Sequence, residues 1–263
     1  MWQSVRRALC FFIKRQVVNL YSYETIGPGI CLAVSRAHTF GTDAVLLAHF
    51  AHARKNDKMI DLGTGCGIIP FYVAAAGPYP ERIDCADIQP DAVEQVRHSV
   101  EKNGLQNRIF AQKADIRNIS AAYAPCSFSL VTVNPPYKAP NSGHKSARPS
   151  AEIARHEVCC TIEDVAAAAA YLLKPAGRLC LCQRPERLAD VITALRQYKL
   201  EPKRLRFAAA SPDKRPFLFL MEAQKGAAPF LQIQPQLNLT ENGRMSSDAK
   251  EIYANYAKGC EAL

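Results

Sequence analysis

The chain has 263 residues, 48% hydrophobic and 22% charged, which excludes a disordered or fibrous protein. That length supports one large domain or two small ones with a proper core. Lys and Arg number 33 against 24 Asp and Glu, a net charge of +9 that favours a polyanionic partner but specifies no fold.

Residues 1–39 form a basic N-terminal segment. Val5, Leu9, Phe12 and Ile13 are spaced for one face of a helix, either packed or serving as an arm on phosphates. The apolar run Ala8 to Ile13 is too short to span a membrane or to form a signal-peptide core. Gly27-Pro28-Gly29 breaks the chain. Phe40-Gly41-Thr42-Asp43 precedes a helical run, Ala44 to Ala51. Thr42 or Asp43 caps that helix, or both line a cofactor pocket beside the next element.

Lys58 to Leu62 is a short strand, and Gly63-Thr64-Gly65-Cys66-Gly67 then opens a helix through Ala76. Glycines let a ligand approach the backbone, and amides at the helix start face it. The spacing is G-x-G-x-G, not the G-x-G-x-x-G of dinucleotide sites. Asp61 at the mouth of the loop repels a pyrophosphate but suits a cation, and S-adenosylmethionine carries an ammonium and a sulfonium. Arg82 to Asp87 is the next strand, and Asp87 falls about 20 residues past Gly67, where an acid meets ribose hydroxyls. Pro90 starts a helix that Gly104 ends. Arg108 to Gln112 is a third strand, followed by Asp115, which either accepts from an adenine amine or caps a turn.

Phe128 to Val133 has strand length and ends in Asn134-Pro135-Pro136-Tyr137. Open α/β sheets carry their chemistry at such carboxyl ends. Asn134 offers a carbonyl and an amide, the prolines lack N–H and so present acceptors, and Tyr137 offers a ring face. That set suits a planar substrate bearing an NH₂ group. The long polar stretch that follows carries Lys138, Lys145, Arg148 and Arg155, placed to meet phosphates. Thr161 and Asp164 match a capping box for Val165 to Leu173. Arg178 to Cys182 is a strand, Arg187 to Tyr198 a helix, and Pro202 to Ala210 pairs with Pro216 to Glu222 as a hairpin. Lys203, Arg204, Arg206, Lys214 and Arg215 gather there. Residues 226–263 read as an appendage in which Ser247 caps a short helix.

This alternation of strand and helix implies an α/β fold with a mostly parallel sheet, an antiparallel strand at its edge, and helices on both faces. Ten scattered cysteines without a C-x-x-C pair imply free thiols, a reducing cytoplasm and no metal.

Asp61 to Gly67, Asp87, Asp115 and Asn134 to Tyr137 occur in the order seen in class I S-adenosylmethionine-dependent methyltransferases, whose Rossmann-like sheet has seven strands. The tetrad resembles that of enzymes methylating an exocyclic or side-chain nitrogen. Phe40 to Leu47 and Ala154-Arg155-His156-Glu157 resemble the tRNA1(Val) (adenine(37)-N6)-methyltransferases, over about residues 40–225. The resemblance implies a methyltransferase domain over those residues, with tRNA, at its anticodon loop, as partner. It implies that Asp87 holds the cofactor ribose and Asp115 its adenine. Gly63, Gly65 and Gly67 pass along the methionine portion, and Thr42 and Asp43 close the pocket. Asn134 and Pro135 accept from the target amine while Tyr137 stacks on the base. Lys138 departs from the pattern, since an aromatic often follows the tetrad. Other readings are a release-factor glutamine N5-methyltransferase, an rRNA guanine N2-methyltransferase, and a non-catalytic module that binds S-adenosylmethionine or RNA. A monomer without a membrane span is expected.

Overall fold

The computed structural model describes residues 21–78, 80–135 and 160–260, with side chains as far as Ala254. The expected basic N-terminal helix, half of the tetrad and most of the polar stretch after it lie outside the described residues.

A hairpin, β1 (Ser22–Gly27) and β2 (Ile30–Val34), comes first, turning at Pro28-Gly29. It was not expected from the sequence, because isolated two-stranded ribbons are marginal and this one is held from outside. Its backbone docks on α3 (Pro90–Lys102): Cys31 N–H donates to Asn103 Oδ1 at 2.8 Å, and Ala33 N–H to Ser99 Oγ at 2.9 Å. Gln95 Nε2 donates back to the Ala33 carbonyl at 2.8 Å.

The main sheet contains β3 (Lys58–Leu62), β4 (Arg82–Asp87), β5 (Ile109–Lys113), β6 (Phe128–Val133), β7 (Leu173–Gln183), β8 (Leu200–Ala209) and β9 (Leu218–Lys225). Two short strands, β10 (Gln232–Ile233) and β11 (Leu237–Asn238), extend it. The order is β10–β8–β9–β7–β6–β3–β4–β5, with β11 also on β8. The seven expected strands are β3 to β9, and all but β9 run parallel. The antiparallel strand, expected at the edge, lies one place in. After β7 the chain crosses to the outside as β8, and the hairpin returns β9 into the gap between them.

Strand side chains alternate between two apolar layers. Met59, Ile83, Leu130, Cys180, Cys182 and Leu220 face α1 (Thr42–Ala51), α2 (Ile68–Ala76) and α3. Ile60, Val131, Val133, Leu179 and Met221 face α4 (Ile162–Leu172) and α5 (Leu188–Gln197). The same alternation puts Asp61, Thr132 and Asn134 on the α1 side. The capping box of α4 is present in both halves: Asp164 N–H donates to Thr161 Oγ1 at 3.1 Å and Thr161 N–H to Asp164 Oδ2 at 2.8 Å.

Helix α1 starts differently from expectation. Gly41 is its N-cap, and no side chain caps it. Thr42 and Asp43 are already helical, so the Asp43 carboxylate points elsewhere. The far end of α1 is held by a buried ionic network. Arg178 donates to the Ala51 carbonyl at 3.1 Å, to Asp57 at 2.8 Å and to Glu222 at 3.0 Å. Arg204 donates to the Phe50 carbonyl at 2.7 Å and to Glu222 at 3.0 Å. These guanidinium groups satisfy carbonyls that the helix leaves unpaired. Pinning that end fixes where the other end of α1 meets the carboxyl edge of the sheet.

The last helix, α6 (Ser247–Cys260), follows a small hairpin of β12 (Thr240–Glu241) and β13 (Arg244–Met245). Its cap is Ser246, not Ser247: the Ser246 hydroxyl accepts from Ala249 N–H at 3.0 Å.

Candidate active site at the carboxyl edge

The loop after β3 is drawn onto the end of β4. Gly63 and Thr64 N–H both donate to the Ala86 carbonyl, at 2.8 and 3.1 Å, and Gly67 N–H to the Thr64 carbonyl at 2.8 Å. Gly65 N–H donates to Asp87 Oδ2 at 2.9 Å, while Asp87 Oδ1 accepts from Gln89 N–H at 2.9 Å. The loop amides expected to face a ligand are therefore used to shape the loop. What remains for a ligand is bare backbone. A Cβ on Gly63 or Gly65 would meet nothing within 4 Å, so it would stand in the open space over the loop. Gly67 has φ +86°, and a Cβ there would lie 3.1 Å from Val96 Cγ2 and 3.2 Å from Phe71 Cδ2. It is the point where helix, loop and α3 close on one another.

Asp61 sits under this loop, 1% exposed. It is paired in register with Thr132 of β6, whose hydroxyl donates to Asp61 Oδ1 at 2.6 Å. Asp61 Oδ2 and the nearby Thr64 hydroxyl are buried and make no hydrogen bond of proper geometry. Burial pushes the Asp61 carboxyl up to about 7; the Thr132 and Thr64 hydroxyls oppose that rise and the Asp87 charge adds to it. A buried carboxylate oxygen without a donor is costly unless a ligand supplies one. An ammonium would, and a sulfonium would add only its charge, so the residues present fit S-adenosylmethionine, which carries both.

Asn134 follows β6, one strand over. The register Leu62↔Val133 puts it opposite Gly63, one strand spacing of about 4.8 Å away. Its Nδ2 donates to Asp43 Oδ2 at 3.3 Å, and its Oδ1 accepts from the Cys182 thiol at 3.2 Å. Cys182 comes from β7, which continues the register Val133↔Leu181. Pro135, next in the chain, is buried.

The predicted site residues thus divide. Asp43, Asp61, Gly63, Gly65, Gly67, Asp87 and Asn134 meet at one edge, where α1 and the ends of β3, β4 and β6 converge. Thr42 is the first residue of α1 and is exposed. Asp115 lies past β5 near Asp87, since Ala114 N–H donates to the Asp87 carbonyl at 2.9 Å. There it caps a turn of 3₁₀ helix through Arg117 N–H at 2.9 Å and pairs with the Arg117 guanidinium at 2.7 Å. That hydrogen bond from the Arg117 side chain holds its carboxyl below the usual range. Pro136, Tyr137, Lys138, Lys145, Arg148 and Arg155 lie outside the described residues.

The sequence reading missed Thr132, Thr64, Gly41 and Cys182. Period-2 alternation on β6 carried the signal for Thr132, a polar residue on a face otherwise apolar. The basic cluster on β8 is mostly consumed internally. Lys203 donates to the Ala228 carbonyl, Arg204 pairs with Glu222, and Arg206 pairs with Asp248 at 2.6 Å. No group of His, Cys, Asp and Glu able to hold a metal occurs among the described residues. Nor is any helix there long and apolar enough to cross a membrane.

The model of the methyltransferase small domain family matches residues 35–190, more than half of the chain. A Porphyromonas gingivalis protein is 31% identical over 188 residues, covering 69% of this chain and 72% of its own. A Tolumonas auensis protein is 28% identical over 212 residues, covering 77% of this chain and 83% of its own. Both are named tRNA1(Val) (adenine(37)-N6)-methyltransferase. Among solved structures, a predicted O-methyltransferase from Agrobacterium tumefaciens superposes with TM-score 0.67 at 21% identity, covering 82% of this chain and 97% of that one. A tRNA m1G37 methyltransferase from M. jannaschii gives TM-score 0.51 at 16% identity over 78% of this chain and 54% of that one. Such distant likenesses speak for the fold. The acidic strand end, the glycine loop and the matched span agree: the chain is a class I S-adenosylmethionine-dependent methyltransferase, belongs to the methyltransferase small domain family, and resembles its tRNA1(Val) (adenine(37)-N6)-methyltransferases.

Proposed function

We propose that the protein methylates the exocyclic N6 of an adenine in tRNA, at position 37 of the anticodon loop of a valine tRNA. The observation that carries the reading is the adjacency of Asn134 and the Gly63–Gly67 loop, fixed by the β3–β6 register. The names of the relatives at about 30% identity support the substrate.

S-adenosylmethionine supplies an activated methyl group. The protein's own task is positioning and exclusion of water. Asn134 Oδ1 and the Pro135 carbonyl accept the two N–H bonds of the adenine amine, turning its lone pair toward the loop. Tyr137 stacks on the extruded base, an interaction worth about 1–3 kcal/mol in single-strand binding. Extrusion costs least from a loop, which suits an anticodon loop as substrate. Asp87 would receive the ribose hydroxyls on the lone pairs its loop contacts leave over, and Asp61 would hold the cationic end of the cofactor. Thr42 would border that pocket, and Asp115 would accept from the adenine amine of the cofactor. Lys138, Lys145, Arg148 and Arg155 meet the tRNA backbone.

The test is methyl transfer from labelled cofactor to four acceptors in parallel: tRNA from cells lacking this gene, ribosomal RNA, a release factor, and buffer alone. N6-methyladenosine in tRNA hydrolysates, seen by mass spectrometry, is the expected product. Label in a release-factor glutamine, in rRNA guanine, or in nothing would replace the reading with one of its rivals.

A further inference from the structure

We propose that Asp43 is a positioning residue that sets which way round the Asn134 carboxamide sits. The proposal rests on the reading of Asn134 as the acceptor of the target amine, and gives Asp43 a task other than holding the cofactor.

A primary amide is nearly symmetric in shape, and its two ends differ only in hydrogen-bonding sense. The reaction needs the oxygen, not the NH₂, toward the amine. A carboxylate can only accept, so Asp43 Oδ2, 3.3 Å from Asn134 Nδ2, holds the NH₂ end. The oxygen is thereby turned to Cys182 Sγ at 3.2 Å. A thiol is a weak donor, which yields readily to an incoming N–H. The negative charge beyond the NH₂ also polarises the amide, making its oxygen a stronger acceptor. With water or a hydroxyl in place of Asp43, either orientation would be satisfied.

A second observation shows that the position of the carboxylate is built into the fold. Asp43 lies in the first turn of α1 just after Gly41, the N-cap. A Cβ on Gly41 would lie 2.6 Å from Asp43 Oδ1. The Gly41 backbone, at φ −118° and ψ 173°, is one that any residue adopts. Glycine is therefore present for space, and the space is taken by the Asp43 carboxylate.

This gives two independent perturbations. Asp43→Asn keeps shape and removes the charge, so that its own amide can present either end to Asn134. Gly41→Ala keeps the charge and displaces it without backbone strain. Both variants should lower kcat at saturating substrates by about 30-fold or more, while calorimetric Kd values for S-adenosylmethionine and for tRNA stay within about threefold. Asp43→Glu, which keeps an acceptor, should recover more activity than Asp43→Asn. A cofactor Kd raised about tenfold in Asp43→Asn with kcat unchanged would overturn the proposal and return Asp43 to the cofactor pocket. A readout free of the substrate assignment is the side-chain ¹H–¹⁵N pair of Asn134, identified by its loss in Asn134→Asp. In the wild type it should exchange slowly, and it should move and exchange faster in both Asp43→Asn and Gly41→Ala. Unchanged signals would overturn the proposal even if the protein methylates another substrate.

Discussion

Asp61 carries the strongest single-residue consequence. Its ordinary value of 3.8 is raised to about 7 by burial. The folded protein then binds this proton more tightly than the unfolded chain does. The stability linked to it is fully present below about pH 4 and is lost as pH rises toward 7, by about 4 kcal/mol in the limit. The cofactor-free protein should therefore melt at lower temperature at pH 7.5 than at pH 5, with Asp61→Asn lacking that part of the slope. A cation bound at Oδ2 favours the ionised form, so cofactor binding near pH 6.5 should release a proton. Calorimetry in two buffers of different ionisation enthalpy measures this, and zero release would contradict the role. Asn134 should behave differently, because in the proposed function it acts only on the target amine. Asn134→Ala should leave cofactor Kd within about twofold and cut turnover by about 10²-fold or more. Comparable turnover by that variant would remove the central assumption about the site. Residue types alone made Asp61, Asp87 and Asn134 legible in the sequence. Thr132 was not, since its meaning depends on a strand pairing with Asp61 that only the folded sheet supplies.

At the scale of elements, what the sequence disclosed followed from local rules. β3, β4 and β6 have the limits that composition and turn residues imply, and α4 has the capping box implied by Thr161 and Asp164. Thr161→Ala should cost about 1 kcal/mol, a fall of about 2–4 °C in Tm, with catalysis untouched. Elements that rely on distant partners were hidden. The β1–β2 hairpin exists because Gln95 and Ser99 of α3, and Asn103 just after it, pair with its backbone. At the start of α1 neither Thr42 nor Asp43, the two capping candidates, serves as the cap: both lie inside the helix after Gly41, and Asp43 accepts from Asn134 instead. A local rule fails here where a tertiary contact at the site competes with it. Gly67 shows the opposite case, a local signal with a tertiary cause. Gly67→Ala would force a left-handed alanine, costing about 1–2 kcal/mol, into contact with Val96 and Phe71. Lower Tm and weaker cofactor binding should appear together, and a variant with both at wild-type values would show that the loop tolerates a side chain.

Across the whole molecule, the C-terminal stretch is the part that sequence patterning described least well. Its strands are only two residues long, too short for any periodicity to register. Yet β10 and β11 run along the outer side of β8, and Gly226 N–H donates to the Lys199 carbonyl at 2.9 Å. Arg206 reaches both the Pro235 carbonyl and Asp248. Helix α6 then returns across β1 and α1, where Ile252 is 1% exposed and its carbonyl accepts from the Tyr72 hydroxyl at 2.8 Å. Leu237, also 1% exposed, and Ile252 fill the same apolar layer as α1 and α2. Removing a buried Leu and a buried Ile alone forfeits about 1.5–3 kcal/mol each, before the polar groups left without partners are counted. That is a large share of the roughly 5–15 kcal/mol by which domains are stable. The side of α1 that carries Asp43 rests on this same layer, so the loss should reach the site. A chain ending at Lys225 should melt at least about 10 °C below the full protein, or fail to fold, and should bind S-adenosylmethionine weakly. Full-length Tm and cofactor affinity in that truncated chain would mean that residues 226–263 decorate a catalytic unit which stands without them.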